Sequence, residues 1–206
     1  MNLEELETLL KELYESNDER LRRSYNRSLP FQDGLFDRWE RAARLGFAQG
    51  VSIYNSALVF GDIRVGRNTW IGPYTILDGS GGSLEIGEFC SISSGVHIYT
   101  HDTVRWALSG GEVKKECAGV HIGNCVYVGS QSVITAGVRI GDRCVVAANS
   151  FVNHDVPERT LVAGSPAQRI GMIEGDGAAV RIVLDSPTVE RETTRAEFPG
   201  TNDRRE

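Results

Sequence analysis

Four histidines, His97, His101, His121 and His154, carry the ring whose unperturbed pKa lies nearest neutrality, and their settings differ. His101 ends the run IYTHD, directly before a stretch in which the otherwise regular pattern of the chain fails. An imidazole held there can take a proton from a weakly acidic group such as a hydroxyl. The alternative is a solvated loop histidine. Asp102, its neighbour in sequence, is a candidate to orient the ring. His97 and His121 each precede an aliphatic that the pattern turns inward, so alternation along a strand turns them outward, to a surface or an interface. A metal centre with an open position would need three convergent histidines; His97, His101 and His121 are the candidates, and the long stretch between the last two argues against it. Cys90 and Cys144 fall at small inward positions, Cys125 at a corner and Cys117 in a loop, with no CxxC pair. Core filling and chance loop placement therefore stand ahead of a disulfide or a metal site.

The element that must position these groups is a ladder. In VHIGNCVYVGSQSVITAGVRIGDRCVVAANSFVNHDVP the aliphatics Ile122, Val128, Ile134, Ile140, Val146 and Val152 recur every sixth residue. Two residues before each stands a small or branched side chain: Val120, Val126, Ser132, Val138, Cys144 and Ser150. A hexapeptide period is the signature of a parallel β-helix; an amphipathic helix repeats at three and four, and a half-buried strand at two. Each hexad is one short strand and a corner, and three close a triangular coil. About fourteen hexads give a little under five coils, a prism about 22 Å long at roughly 4.8 Å per stacked strand.

Ahead of the ladder, residues 2–24 set Leu3, Leu6, Leu9, Leu10, Leu13 and Tyr14 at helical spacing, and Leu35, Trp39, Ala42, Ala43 and Phe47 follow in a second helical segment. A coil stack leaves unpaired backbone at its ends, so residues 1–50 are expected to form a helical cap. The β-helix is expected over 51–171. Its register slips by three residues at DGSGGSL, a glycine-rich corner. An excursion loop at about 102–119 carries Trp106 and the pair Lys114-Lys115; long loops in compact repeat proteins are usually functional. Residues 172–206 form a C-terminal extension in which AAVRIVLD is a candidate strand and the polar tail from Ser186 is expected to be mobile.

The formal charge of −6 argues against nucleic acid as a partner, which requires a concentrated basic face. No apolar run reaches transmembrane length, and Met1 begins an acidic helix-like stretch rather than a signal peptide, so a cytoplasmic address is expected.

The stretches ILDGSGGSLEIGEFCSISSGVHIYTHD, the ladder quoted above and VAGSPAQRIG resemble the hexapeptide acyltransferases, in particular the branch of galactoside, maltose and capsule or lipopolysaccharide O-acetyltransferases. The resemblance covers about Ile53 to Gly171. It implies a mainly β fold, a left-handed parallel β-helix, assembled as homotrimers that bind acetyl-CoA between neighbouring subunits, with no metal. It implies that His101 is the general base of a direct acetyl transfer to a saccharide, and that Asp78 contacts the acceptor. Its coenzyme A residues match Tyr127, Ala147 and Ala148, with His154 near the cofactor and Arg169 placed to meet the phosphates. Trp106 in the excursion is a candidate to stack on a sugar face. Bland readings stand beside these: Asp78 as a corner residue bonding backbone amides, Tyr127 as interface packing, the alanines as corner geometry. The chain departs from the family pattern at Ala136, where Pro is common, at His154, where Lys is frequent, and around Trp70, where no counterpart of the acceptor-side asparagine is found. Rivals are N-acetylation of an amino sugar and a zinc lyase of the γ-carbonic anhydrase type, which GDIRVGRNTWIG faintly resembles.

Overall fold

In the computed structural model, which describes residues 1–185, the hexads stack into a left-handed parallel β-helix with three flat faces. The first face runs Ser52–Ile53, Trp70–Ile71, Ser91–Ile92, Tyr127–Val128, Val145–Val146 and Thr160–Ala163, all paired in parallel. The second joins the first halves of Leu58–Val65 and Ile76–Ile86 to His97–Tyr99, Val133–Ile134 and Phe151–Val152. The third joins the second halves of those two long strands to Val120–Ile122, Arg139–Ile140 and the bridge at Val156.

The six-residue period fills the interior as the spacing requires. Ile53, Ile71, Ile92, Val128 and Val146 stack behind the first face, Leu77, Ile98, Ile134 and Val152 behind the second, and Ile86, Ile122 and Ile140 behind the third, all buried. The residues two before them, among them Val126, Val138, Cys90 and Cys144, are buried as well. Cys90 and Cys144 sit within sulfur hydrogen-bond range of the Gly123 and Pro157 carbonyls. At the corners leading into the first face, Asn68, Phe89, Cys125, Arg143 and Arg159 share the left-handed conformation, φ 54 to 57°. A non-glycine residue there costs about 1–2 kcal/mol. A repeating N–H···O bond to the corner of the preceding coil, such as Phe89 N to Arg67 O at 3.0 Å and Cys125 N to Glu88 O at 2.8 Å, offsets it.

The N-terminal segment forms α1 (Leu3–Tyr25), α2 (Phe31–Leu35) and α3 (Arg38–Arg44). Covering of the open coil is done by α3 and the turn after it: Ala42, Phe47 and Val51 join the core, and Arg41 donates to the carbonyls of Tyr54 and Ala57. Asp33 on α2 accepts from Ser56 N at 2.8 Å. Asn2 and Glu5 close a capping box at the start of α1, yet only Leu21 of this helix is buried. The leucine stripe expected to pack on the prism, Leu3, Leu6, Leu9, Leu10 and Leu13, is exposed, and the helix touches α2 through Tyr14 and Phe31, ring centroids 6.3 Å apart.

At the other end Gln168–Glu174 turns back antiparallel onto Thr160–Ala163, and Arg181–Leu184 pairs antiparallel with it. AAVRIVLD thus contains a strand, and the expected boundary at 171 falls inside a continuous one. The tail from Ser186 lies outside the described residues.

Candidate active site

The three-residue slip in the ladder forms one side of the site. Leu58–Gly61 pairs with Ile76–Gly79 and Ile63–Val65 with Leu84–Ile86, so Ser80 to Ser83 bulge at the corner. This bulge lies against both roots of the excursion. A β-carbon on Gly81 would meet Thr100 O at 2.4 Å and His101 Cβ at 2.5 Å, and one on Gly82 would meet Gly119 N at 2.8 Å. Thr100, fully buried, ties the layers together: its hydroxyl donates to Asp78 O at 2.8 Å and accepts from Gly81 N at 2.9 Å.

His101 stands where bulge and excursion meet. Its Nδ1 is 3.5 Å from Asp78 Oδ2 and 3.4 Å from Ser80 Oγ, and the ring is 24% exposed against 11% for the Asp78 side chain. Burial pushes the Asp78 carboxyl up; hydrogen bonds from the Ser80 side chain and backbone, with the charges of His101 and Lys115, outweigh it and hold the carboxyl below its ordinary value. A carboxylate facing Nδ1 favours the tautomer with the proton on that nitrogen and leaves Nε2 as the acceptor. An imidazole paired in this way with a carboxylate can accept a proton from a hydroxyl at Nε2.

Asp102 does not orient the ring. Its carboxylate accepts from Val104 N at 3.0 Å, because alternation sends its side chain away from that of His101 and into the start of α4 (Val104–Leu108). The orienting carboxylate comes instead from Asp78, a strand neighbour rather than a sequence neighbour. Ser80 was missed; its signal was the slip itself, which placed a serine two residues past Asp78.

The excursion is a hairpin, with His101–Asp102 antiparallel to Glu116–Cys117, closed by an Arg105–Glu116 ion pair at 2.9 Å. On α4, Val104, Trp106 and Leu108 face solvent. Trp106 lies against Gly111 of its own loop and is not brought to His101 by any contact within the chain.

Tyr127 points outward on the first face, 45% exposed. One coil on, Ala148 underlies Gly129 so closely that a β-carbon on the glycine would meet Ala148 N at 2.4 Å; Ala147 is half-buried and Ala148 exposed. His154 is exposed, its Nδ1 3.1 Å from Asn153 Oδ1. Arg169 makes a two-pronged pair with Asp185, both contacts 3.1 Å, so a phosphate would have to displace that carboxylate. His97 lies beside Tyr99 on the second face and His121 beside Glu85 on the third; these rings do not converge with His101. Among the described residues no group of three His, Cys, Asp or Glu is placed to hold a metal ion, and no helix is long and apolar enough to cross a membrane.

The coil of hexads defines a class, and the chain belongs to it: it is a member of the hexapeptide-repeat acetyltransferase family. The family model for bacterial transferase hexapeptides (six repeats) matches residues 119–154. A hexapeptide-repeat acetyltransferase of Vibrio cholerae, solved with acetyl coenzyme A, is 31% identical and superposes with a TM-score of 0.54 over 80% of this chain and 89% of that one. A maltose O-acetyltransferase of Clostridium difficile is 28% identical, with a TM-score of 0.52 over 81% and 89%. A chloramphenicol acetyltransferase of Morganella morganii is 32% identical over 108 residues, 42% of this chain and 50% of that enzyme. The chain spans half to two thirds of the length of such curated relatives, 66% for the carnitine operon protein CaiE of Escherichia coli.

Proposed function

We propose that this protein is an acetyl-CoA-dependent O-acetyltransferase whose acceptor is a saccharide or a sugar-bearing molecule. One observation carries the reading: the only long break in the ladder is rooted at an imidazole that Asp78 and Ser80 hold through Nδ1. Nε2 of His101 takes the proton of an acceptor hydroxyl as its oxygen attacks the thioester carbonyl. The carbon–sulfur bond then breaks, and His101 returns the proton to the departing thiolate. Cys90 and Cys144 are buried; Cys117 is the cross-strand partner of His101, but the ring nitrogen is engaged by Asp78 and Ser80 rather than by its thiol, so we read the transfer as direct.

The site takes shape between copies. A single convex prism gives little of the concavity a ligand needs, and the second face presents an outward row, Leu58, Ile76, His97, Val133 and Phe151, mostly apolar and suited to packing against another prism. In a homotrimer the groove between two chains runs along the axis, from the level of His101 past Tyr127 and Ala148 to Arg169, where Asp185 yields to coenzyme A phosphates. Support for acetyl-CoA comes from its presence in the Vibrio cholerae relative. The setting implied is a cytoplasmic step of polysaccharide biosynthesis. The test is a panel of sugars and sugar nucleotides, read as free thiol released from acetyl-CoA. Release that depends on one acceptor, with the acetyl group recovered on its oxygen by mass spectrometry, is expected; release no faster than hydrolysis across the whole panel would sink the proposal.

A further inference from the structure

A second constellation lies away from His101, where the helices meet the first face. A cleft of about 320 Å³ there is lined by Arg27, Arg38, Trp39, Tyr54, Trp70 and Ser91, among others, a volume at the small-ligand end of binding sites. Trp39 and Trp70 are 48% and 65% exposed. Leaving two indoles in water is unfavourable, and clustered exposed apolar surface marks a binding site. The Arg38 guanidinium lies 4.3 Å from the Trp39 ring centroid and 5.2 Å from that of Tyr54, and donates to Tyr54 Oη at 3.1 Å. Stacking thus fixes the fork while most of its five donors stay unused.

The charges around it are spoken for, and those of Arg27 and Arg38 are not. Arg22, Arg23 and Arg44 pair with Asp18, Glu19 and Glu40; Arg27 and Arg38 enter no ion pair among the described residues. Asp37 accepts from Trp39 N and Glu40 N, and Asp33 from Ser56 N. Two uncompensated cations beside two exposed indole faces suit a ligand with a flat apolar face and a negative charge.

Position along the axis adds a direction. Trp70 pairs with Ser91, and Ser91 with Tyr127, so the cleft and the candidate cofactor tyrosine share a face, separated by two strand spacings or about 10 Å. Trp70 begins the coil that carries Asp78, Ser91 begins the coil that carries His101 at its second corner, and Tyr127 begins the next. The cleft therefore lies on the N-terminal side of the level of the imidazole and Tyr127 on the other; because His101 stands at the corner between the second and third faces, the imidazole that a first-face cleft would serve is that of a neighbouring copy.

We infer that this cleft binds the acceptor, a pyranose bearing an anionic group, with the ring packed on Trp70 and Trp39 and the carboxylate or phosphate ester held by Arg38 and Arg27. The inference rests on the acetyltransferase reading for the word acceptor, but its test does not. Calorimetric titration of the full chain, without acetyl-CoA, compares glucuronic acid, glucose 1-phosphate, glucose and UMP. At least one anionic sugar binds about tenfold more tightly than glucose, the worth of one charge-assisted contact, and which one binds separates carboxylate from phosphate ester. Trp70→Ala and Arg38→Met each weaken it about tenfold, whereas Glu85→Gln on the third face leaves it unchanged; all are checked for unaltered melting and mass. Glucose binding equally well, no binding of either anionic sugar, or variants that bind like the parent would overturn the inference, and UMP binding as tightly as glucose 1-phosphate would replace the pyranose by a base. Binding as expected with no acetyl transfer to any sugar would instead sink the transferase reading and leave the ligand class of the cleft standing.

Discussion

The first and third faces of the prism are built on the same inner ladder and differ in what they show to water. On the third face the outward row is Arg64, Glu85, His121 and Arg139, and it is partly closed on itself: Arg64 lies 3.4 Å and His121 3.3 Å from Glu85. On the first face the row is Ser52, Trp70, Ser91, Tyr127 and Val145, with its two aromatics exposed and unpartnered by charge. Behind both, isoleucines and valines are buried to the same degree. A coil constrains what points in and leaves what points out free, so a face that neutralises itself reads as solvated surface. A face that leaves its aromatics exposed beside the unpaired cations of the helical segment reads as built for something else.

The largest expected effect bears on the corner between the second and third faces. His101→Ala should lower turnover about a hundred- to ten-thousandfold, the usual cost of losing a general base, with melting unchanged; near-normal turnover in the purified variant removes His101 from the chemistry. Next comes the inner ladder that all three faces share, tested behind the second. Ile98→Ala, in a position with no exposure, should cost about 2–5 kcal/mol by urea unfolding, and a loss below 1 kcal/mol would show that the coil collapses around the gap.

Asp78→Asn should reduce turnover about ten- to a hundredfold, a fraction of the general-base effect. It also has a pH signature. The Asp78 carboxyl is held below its ordinary value in the folded chain, so its contribution to stability is complete above the usual carboxylate range, near pH 4, and is lost as pH falls through the lowered value. The margin of the parent over the variant should shrink on acidification, and a margin that grew would reverse the assignment. The smallest effect belongs to the third face: Glu85→Gln, at a half-exposed pair, should change stability by under about 1 kcal/mol and leave acetyl transfer untouched. A large loss of activity there would break the contrast between the faces.

The inward rows were legible in the sequence because hexad spacing alone decides which residues face the core, and Ile122 to Val152 obey it without exception. The excursion was legible as a failure of that period, and His101 as the residue at its root. What escaped has no period. Asp78 and Ser80 meet His101 because strands stack, which brings together residues more than twenty apart in sequence. The adjacent Asp102 was the visible candidate and points elsewhere. Trp39 and Trp70 belong to a helix and a strand whose common cleft depends on where α3 lands on the first coil. The leucine stripe of α1 announced a helix correctly and said nothing of its partner. Arg169 was placed by motif; its clamp by Asp185 required a strand after the motif to return.

The corner and core cysteines give the molecule an internal clock. Cys117 and Cys125 are exposed, Cys90 and Cys144 buried, and burial raises the pKa of both buried thiols, which slows their attack on any reagent because the thiolate is the reactive form. An alkylating probe applied to the native protein should therefore label two positions quickly and stop. Cys90 and Cys144 belong to different coils, so the order in which they later become labelled would report whether the stack frays from one end or opens as a unit.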